Sequence, residues 1–198
     1  MTHATVWEDV VGFDAEVARL RRGDLDGLRV IVERYQHRLY RYLLRLLRDP
    51  AAADDLFQQT WLRVAERIRQ FDPRRSFEPW LFTVARNLAL DHLRRYRPES
   101  LDEPAAGGDA RGDFLSADAP GALERVIELE RAAGVARAMS ELPAIYREVL
   151  TLRFEEEMKL EEIAEVLDAP LSTVKTRLRR ALEAMRHTLE SRAAEGRP

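Results

Sequence analysis

The sequence contains no cysteine. Structural disulfides, thiolate zinc sites and a cysteine nucleophile are excluded on that ground. Only four histidines occur, His3, His37, His92 and His187, and no two of them have metal-ligand spacing. There is no glycine-rich phosphate loop, and no nucleophile–base pair can be composed. No catalytic residue, metal or cofactor is therefore expected, and the chain does not read as an enzyme. No apolar run approaches the roughly 18 residues needed to span a bilayer, so membrane insertion is not expected. The opening Met1-Thr2-His3-Ala4-Thr5-Val6-Trp7-Glu8 has neither a basic n-region nor an apolar core. A cytoplasmic location is the expectation that follows.

What is present is charge, and its distribution says more than its total. The net charge of -3 excludes a uniformly basic nucleic-acid coat. Residues 1–95 carry 17 Lys+Arg against 14 Asp+Glu, residues 96–135 carry 4 against 9, and residues 136–198 carry 11 against 12. Within the last block, Lys175, Arg177, Arg179, Arg180 and Arg186 face only Glu183 between Leu171 and His187. A concentrated basic helix is thus hidden by acidity elsewhere. Nearly all basic residues are arginine, which suits bidentate contacts to phosphate and base edges, although genomic composition gives the same bias.

The apolar periodicity is helical almost throughout, and no segment alternates with the period of a strand. Phe13, Val17 and Leu20 open a short helix that stops near Gly23-Asp24. Leu25, Leu28, Val32, Tyr35, Leu39, Tyr42, Leu43 and Leu46 keep a 3–4 spacing up to Asp49-Pro50, where the residue before proline resists the α region. A third helix is expected from about Ala51 to Gln70, and a fourth from about Phe77 to Arg95 with Trp80, Leu81, Val84 and Leu88 as its stripe. The stretch 96–122, rich in proline, glycine and acidic residues, cannot bury a core and reads as an acidic flexible linker. Periodicity resumes at Leu123, and shorter helices are expected near 143–154, 159–167 and 171–190. The fold class is all-α, with two small helical domains at 10–95 and 123–190. The second core is expected to draw on Leu142, Val149, Leu152, Ile163, Val166, Leu167, Val174, Leu178 and Leu182.

The segment from Leu160 to Leu178 reads as a helix-turn-helix. Ile163, Ala164 and Leu167 form an inner face, with Ala164 small where a second helix must cross. Asp168-Ala169-Pro170 has about the length of the required turn. Val174, Leu178 and Leu182 set the inner stripe of the next helix, which leaves Ser172, Thr173, Lys175, Thr176, Arg177, Arg179 and Arg180 on or beside its outer surface. A short, polar and basic N-terminal half can enter a major groove. A solvated basic face is the bland alternative. The acidic residues Glu155-Glu156-Glu157 and Glu161-Glu162 would repel phosphate, so they are expected to face away from DNA, solvated or against a basic partner.

In the first domain Asp55, Gln58 and Leu62 lie at i, i+3 and i+7, flanked by Asp54, Gln59 and Trp61. Such a polar stripe with an aromatic neighbour suits protein docking. A core tryptophan beside wet polar residues fits the pattern equally. The segment Phe71-Asp72-Pro73-Arg74-Arg75-Ser76-Phe77 leads into a helix bearing Arg86, Asn87, Arg94 and Arg95. Aromatics and arginines in a loop can stack unpaired bases and hold phosphates; Phe71 and Phe77 can equally be core, and Trp80 reads as core.

With these motifs in order, the chain resembles the extracytoplasmic-function group of bacterial sigma factors, within the sigma-70 family. Asp54-Asp55-Leu56-Phe57-Gln58-Gln59-Thr60-Trp61 is similar to the core-polymerase motif of region 2, and Phe77 to Asp91 to its promoter-melting segment. Leu142-Pro143, Tyr146-Arg147-Glu148-Val149-Leu150 and Thr173 to Leu182 are similar to region 4. The resemblance implies that Asp54, Asp55, Gln58, Gln59, Trp61 and Leu62 dock the clamp coiled coil of the β′ subunit of core RNA polymerase. It implies that Phe71, Arg74, Arg75, Ser76, Phe77, Arg86, Asn87, Arg94 and Arg95 open and hold the −10 element. Ser172, Thr173, Lys175, Thr176, Arg177, Arg179 and Arg180 would read the −35 element of promoter DNA, and the region 4 scaffold would touch the β flap. An anti-sigma factor is a further implied partner. Asp168 and Ser172 stand where the family commonly has glycine, and the turn at Asp168 is expected to be slightly strained. The competing readings are a stand-alone helix-turn-helix repressor and an adaptor that uses the fold only to bind protein.

Overall fold

A computed structural model describes residues 15–96 and 122–195 of the chain. The 96–122 linker thus lies almost wholly outside the described residues. α1 occupies 15–21 and ends where Gly23, at φ +90, takes the left-handed conformation that a helix stop requires. The amide of Gly23 donates to the Leu20 carbonyl (2.9 Å) and that of Asp24 to the Arg19 carbonyl (3.2 Å), closing the helix end. Asp24 then caps the next helix, its Oδ1 accepting from the Asp26 amide at 3.0 Å.

α2 (Leu25–Leu47) stops at Arg48, itself left-handed at φ 56. Asp49 caps α3 (Pro50–Arg67) through the amides of Ala51 and Ala52, with Pro50 in the first turn where a missing N–H costs nothing. α3 tightens into a 3-10 turn at Ile68–Gln70, and α4 runs Phe77–Tyr96. α2 packs against α3 and α4, and α3 against α4. Ile31, Leu39, Tyr42, Leu43, Val64, Ile68, Leu81, Phe82 and Ala85 are wholly or almost wholly buried between them. The expected α4 stripe is only half right: Leu81 and Val84 are buried, whereas Trp80 and Leu88 are half-buried and Phe82, Ala85 and Ala89 complete the face.

The chain divides into two compact units. α1 to α4 belong to the first, Glu161–Ala169 is grouped with them, and α5, α6 and α8 belong to the second. α5 (Ala122–Glu141) and α6 (Ala144–Leu150) both pack on α8 (Leu171–Glu195). α6 widens into a π turn at Thr151–Glu155, and α7 spans Leu160–Leu167. Leu142, Val149, Leu152, Ile163, Val166, Leu167 and Val174 are buried as the apolar pattern requires. Leu178 is half-buried, and Leu182 is 45% exposed, contrary to expectation. The reason is helical geometry: at about 100° per residue, seven positions bring the chain back to the Val174 face and eight overshoot it by about 80°. Ala181 accordingly occupies the buried site. A second correction concerns Glu156, which is buried where solvation was expected; the π turn carries it inward, its amide donating to the Thr151 carbonyl at 3.0 Å.

Candidate nucleic-acid and protein-docking surfaces

Five of the six residues proposed from the α3 pattern share an exposed face. Asp54, Asp55, Gln58 and Gln59 are exposed, and Leu62 is 66% exposed, an uncommon position for a leucine inside a well-packed helix. Trp61 is the exception and corrects the expectation: it is buried, edge-on to Phe57 at 6.1 Å between ring centroids. It supports the face from below and offers no exposed anchor. Phe57 in turn meets Tyr40 of α2 edge-on at 6.0 Å. The Tyr40 hydroxyl is held above its ordinary range, first by partial burial and then by its hydrogen bond to the Asp54 carboxylate. Tyr40 therefore positions the first carboxylate of the stripe. Nothing in the spacing of α3 alone points to this partner on α2.

The loop between the 3-10 turn and α4 is built on an aromatic base. Phe71 and Phe77 are both buried, the core alternative of the two, which corrects the role as rings that stack unpaired bases implied for them by the resemblance. Each ring contacts Trp80, at 5.2 and 5.5 Å, and Phe77 also meets Tyr35 at 6.0 Å. Tyr35 sits beneath the Arg38 guanidinium (5.6 Å) and beside Glu78 of α4, to which Arg38 is also paired. Burial and the Glu78 charge push the Tyr35 hydroxyl far above its ordinary pKa. Above this base the loop is polar. The Asp72 carboxylate accepts from the Arg74 amide at 3.0 Å and its carbonyl from the Arg75 amide at 3.0 Å. That turn turns Arg74, Arg75 and Ser76 outward, all exposed.

Along α4, Asn87, Asp91, Arg94 and Arg95 fall on one exposed face at i, i+4, i+7 and i+8, and Arg86 beside them is half-buried. Arg94 is drawn to Asp91 at 3.2 Å. Such a surface pair is weak and can be exchanged for a phosphate.

The third surface is the first half of α8. A helix-ending turn precedes it: Asp168 is left-handed at φ 47, its amide bonds the Glu165 carbonyl (3.2 Å), and the Ala169 amide bonds that of Ala164 (3.1 Å). Asp168 thus holds the conformation that favours glycine, as the departure at this position predicts. Pro170 starts the next turn by accepting from the amides of Thr173 and Val174. Val174 and Ala181 are buried on the inner side. Ser172, Lys175, Thr176, Arg179 and Arg180 are exposed, and Thr173 and Arg177 half-buried. The Thr176 hydroxyl donates to the Ser172 carbonyl (2.9 Å), and Arg179 reaches Glu183 at 2.7 Å. The result is a polar, arginine-rich ridge of the width a major groove admits.

Among the described residues no group of three His, Asp or Glu side chains could hold a metal ion, and no helix is long and apolar enough to cross a membrane. The Sigma-70 region 2 family model matches residues 31–99, and that of Sigma-70, region 4 matches residues 133–185. The ECF RNA polymerase sigma factor SigW of Bacillus subtilis is 34% identical over 176 residues, which covers 87% of this chain and 94% of that protein. This chain belongs to the sigma-70 family, in its extracytoplasmic-function group. The RNA polymerase sigma-H factor of Pseudomonas aeruginosa is a further relative of this sigma factor, 31% identical over 88% of this chain and 92% of that one. The fold is shared with solved structures too. CnrH, solved with the cytosolic domain of CnrY, superposes with a TM-score of 0.65 at 24% identity, covering 90% of this chain and 97% of that one. RpoE of Bartonella quintana, solved with the anti-sigma factor NepR, gives 0.63 at 20%, over 82% and 96%. With the family in hand, the α3 face and the 71–77 loop fall in the region 2 match, and the α8 ridge in the region 4 match.

Proposed function

We propose that this sigma factor divides its work between its two halves: residues 10–95 grip core RNA polymerase and the melted −10 strand, and residues 123–190 grip the duplex −35 element. The acidic segment 96–122 joins them. The exposed row Asp55, Gln58 and Leu62, with Asp54 and Gln59 beside it, takes the β′ clamp coiled coil. Arg74, Arg75 and Ser76 hold the opened strand, with Asn87, Arg94, Arg95 and the half-buried Arg86 along α4. Phe71 and Phe77 fix the shape of that loop from below. Ser172, Thr173, Lys175, Thr176, Arg177, Arg179 and Arg180 read the −35 element, and the region 4 scaffold meets the β flap. The protein is a regulator of initiation in the cytoplasm, without catalysis of its own.

The observation that carries this reading is the pairing of a docking face on α3 with a basic ridge on α8, in a chain that matches both sigma regions in order. The net charge of -3 argues against tight binding to DNA by the free chain. Control by an anti-sigma factor is part of the proposal, supported by two proteins of like fold that were solved with such partners or with a cytosolic domain. Run-off transcription with purified core polymerase on a promoter library tests it. Promoter-specific transcripts that require the chain are the expected result. Tight sequence-specific duplex binding with no redirected initiation would instead establish a stand-alone repressor.

A further inference from the structure

Away from these surfaces, three arginines converge where α1 ends. Arg21 and Arg22 close that helix and Arg69 lies in the 3-10 turn after α3; together with Ala18 they line an open cleft of ≈ 300 Å³. Gly23 lets them meet. Its left-handed backbone reverses the chain without a side chain, and a Cβ added there would meet Nη2 of Arg69 at 3.7 Å.

The local carboxylates are already engaged. Arg19 binds Glu16 at 2.9 Å and Asp24 at 2.8 Å. Asp24 is held below the usual carboxylate range first by the Arg19 hydrogen bond, and only last by the charge of Arg22. Among the described residues, no ion pair reaches Arg21, Arg22 or Arg69, and the buried Nε of Arg21 has no acceptor. Like charges gathered in a concave site are costly unless an anion joins them, and a buried donor without a partner adds to that cost. Guanidinium groups match phosphate geometry in particular. Arg69 also stands two residues before Phe71, at the entry to the loop assigned to the opened strand.

We propose that Arg21, Arg22 and Arg69 form a subsite for one backbone phosphate of the promoter strand, next to the segment held by Arg74, Arg75 and Ser76. The proposal rests on the reading of that loop as a contact to melted DNA. It extends the strand's path across the end of α1.

The test uses holoenzyme assembled with the full chain, carrying R21Q, R22Q and R69Q together or the exposed R22Q alone. Each is titrated with a single-stranded −10 oligonucleotide and with a set in which one phosphate at a time is replaced by neutral methylphosphonate. The unaltered holoenzyme should be weakened about tenfold by neutralising one phosphate. That position should cease to matter in the triple variant, whose salt dependence should fall by about 0.7 in log–log slope. R22Q, which leaves the half-buried Arg21 in place, should show the same change in part, with an unaltered thermal midpoint. Identical methylphosphonate profiles in variant and unaltered protein would overturn the proposal. R74Q combined with R75Q separates the two readings. If that pair weakens strand binding and the triple variant does not, the loop reading stands and this subsite falls; if neither does, the loop reading falls as well. Inorganic phosphate is the other source of the same chemistry. Thermal protection by phosphate that needs the three arginines, with strand affinity unchanged in the triple variant, would identify a free-anion site and overturn the assignment to DNA.

Discussion

Phe71 and Phe77 meet edge to face across the base of the loop they bracket, their ring centroids 5.6 Å apart and their planes at 83°. Five residues lie between them, and the exposed ones include Arg74, Arg75 and Ser76. The ring contact fixes both ends of the loop, so the arginines are held out without a hydrophobic residue of their own. This reverses the simplest reading of an aromatic and basic segment, in which the aromatics would stack bases and the backbone would be left to wander.

Phe71→Ala should therefore act through stability. Removing a buried phenyl ring from a packed aromatic cluster costs about 3–5 kcal/mol, to be read from urea denaturation of the full chain followed by tryptophan fluorescence. Arg74→Ala, at an exposed position, should stay within about 0.5 kcal/mol of the unaltered chain yet weaken −10 strand binding. Should Phe71→Ala leave stability intact while abolishing strand binding, the ring contacts DNA after all.

On α3 the expected outcome is the opposite. Leu62 is 66% exposed, so Leu62→Ala should leave stability within about 0.5 kcal/mol. Its affinity for core polymerase should fall by more than about 1 kcal/mol if it sits at the centre of the docked face. Asp55→Ala should weaken core association likewise, without effect on −35 binding by the second unit. Trp61→Ala should lower stability by about 3–5 kcal/mol instead. Competition for core polymerase against a labelled reference sigma factor distinguishes these outcomes, and an unchanged affinity for Leu62→Ala removes the face from the interface.

The helices and their order were legible from the 3–4 spacing of apolar residues because burial is what spaces them. The caps were legible as well: Asp49-Pro50 and Gly23-Asp24 mark boundaries that the backbone obeys. What sequence could not supply was depth. Leu182 and Ala181 are neighbours, and a fraction of a helical turn decides which is covered, with size giving the wrong answer. Phe71, Phe77 and Trp61 looked ambiguous because a ring buried by partners distant in sequence, such as Tyr35 for Phe77, has the same local neighbours as an exposed one. The cleft of Arg21, Arg22 and Arg69 was invisible for the same reason, since Arg69 lies more than forty residues of chain from the other two. By contrast the exposure of Ser172, Lys175, Thr176, Arg179 and Arg180 was legible, because all lie on one helix.

Asp168 offers a test of the turn itself. At φ 47 it occupies a region that costs an L-residue energy, less for aspartate than for alanine and least for glycine. Asp168→Gly should raise stability by about 1 kcal/mol and Asp168→Ala should lower it, as measured by the thermal midpoint. Affinity for a −35 duplex should be unchanged in the glycine variant, because the exposed residues of α8 are untouched. A loss of stability with glycine would mean that the Asp168 side chain contributes more than its backbone strain removes.

Arg179 carries the most specific expectation for duplex reading. It is exposed near the C-terminal end of the ridge and pairs with Glu183 one turn on, at 2.7 Å, with side-chain exposures of 64% and 51%. A pair so open to solvent is worth no more than about 0.5 kcal/mol, so DNA can take the guanidinium away from Glu183 at little cost. Arg179→Ala should weaken use of the −35 element by about 1–3 kcal/mol and relax discrimination at one base position, if the contact is bidentate to a base. Glu183→Gln should do the reverse, raising affinity by up to about twofold, because it frees Arg179 and removes a negative charge near the phosphates. The double variant should bind slightly better than Arg179→Ala alone, because the lost negative charge near the phosphates still helps while there is no Arg179 left to free. Holoenzyme binding to −35 duplexes with single-base changes, followed by fluorescence anisotropy, reads all three. If Glu183→Gln weakens binding as much as Arg179→Ala, the pair positions the helix as a unit and Arg179 does not contact the base directly.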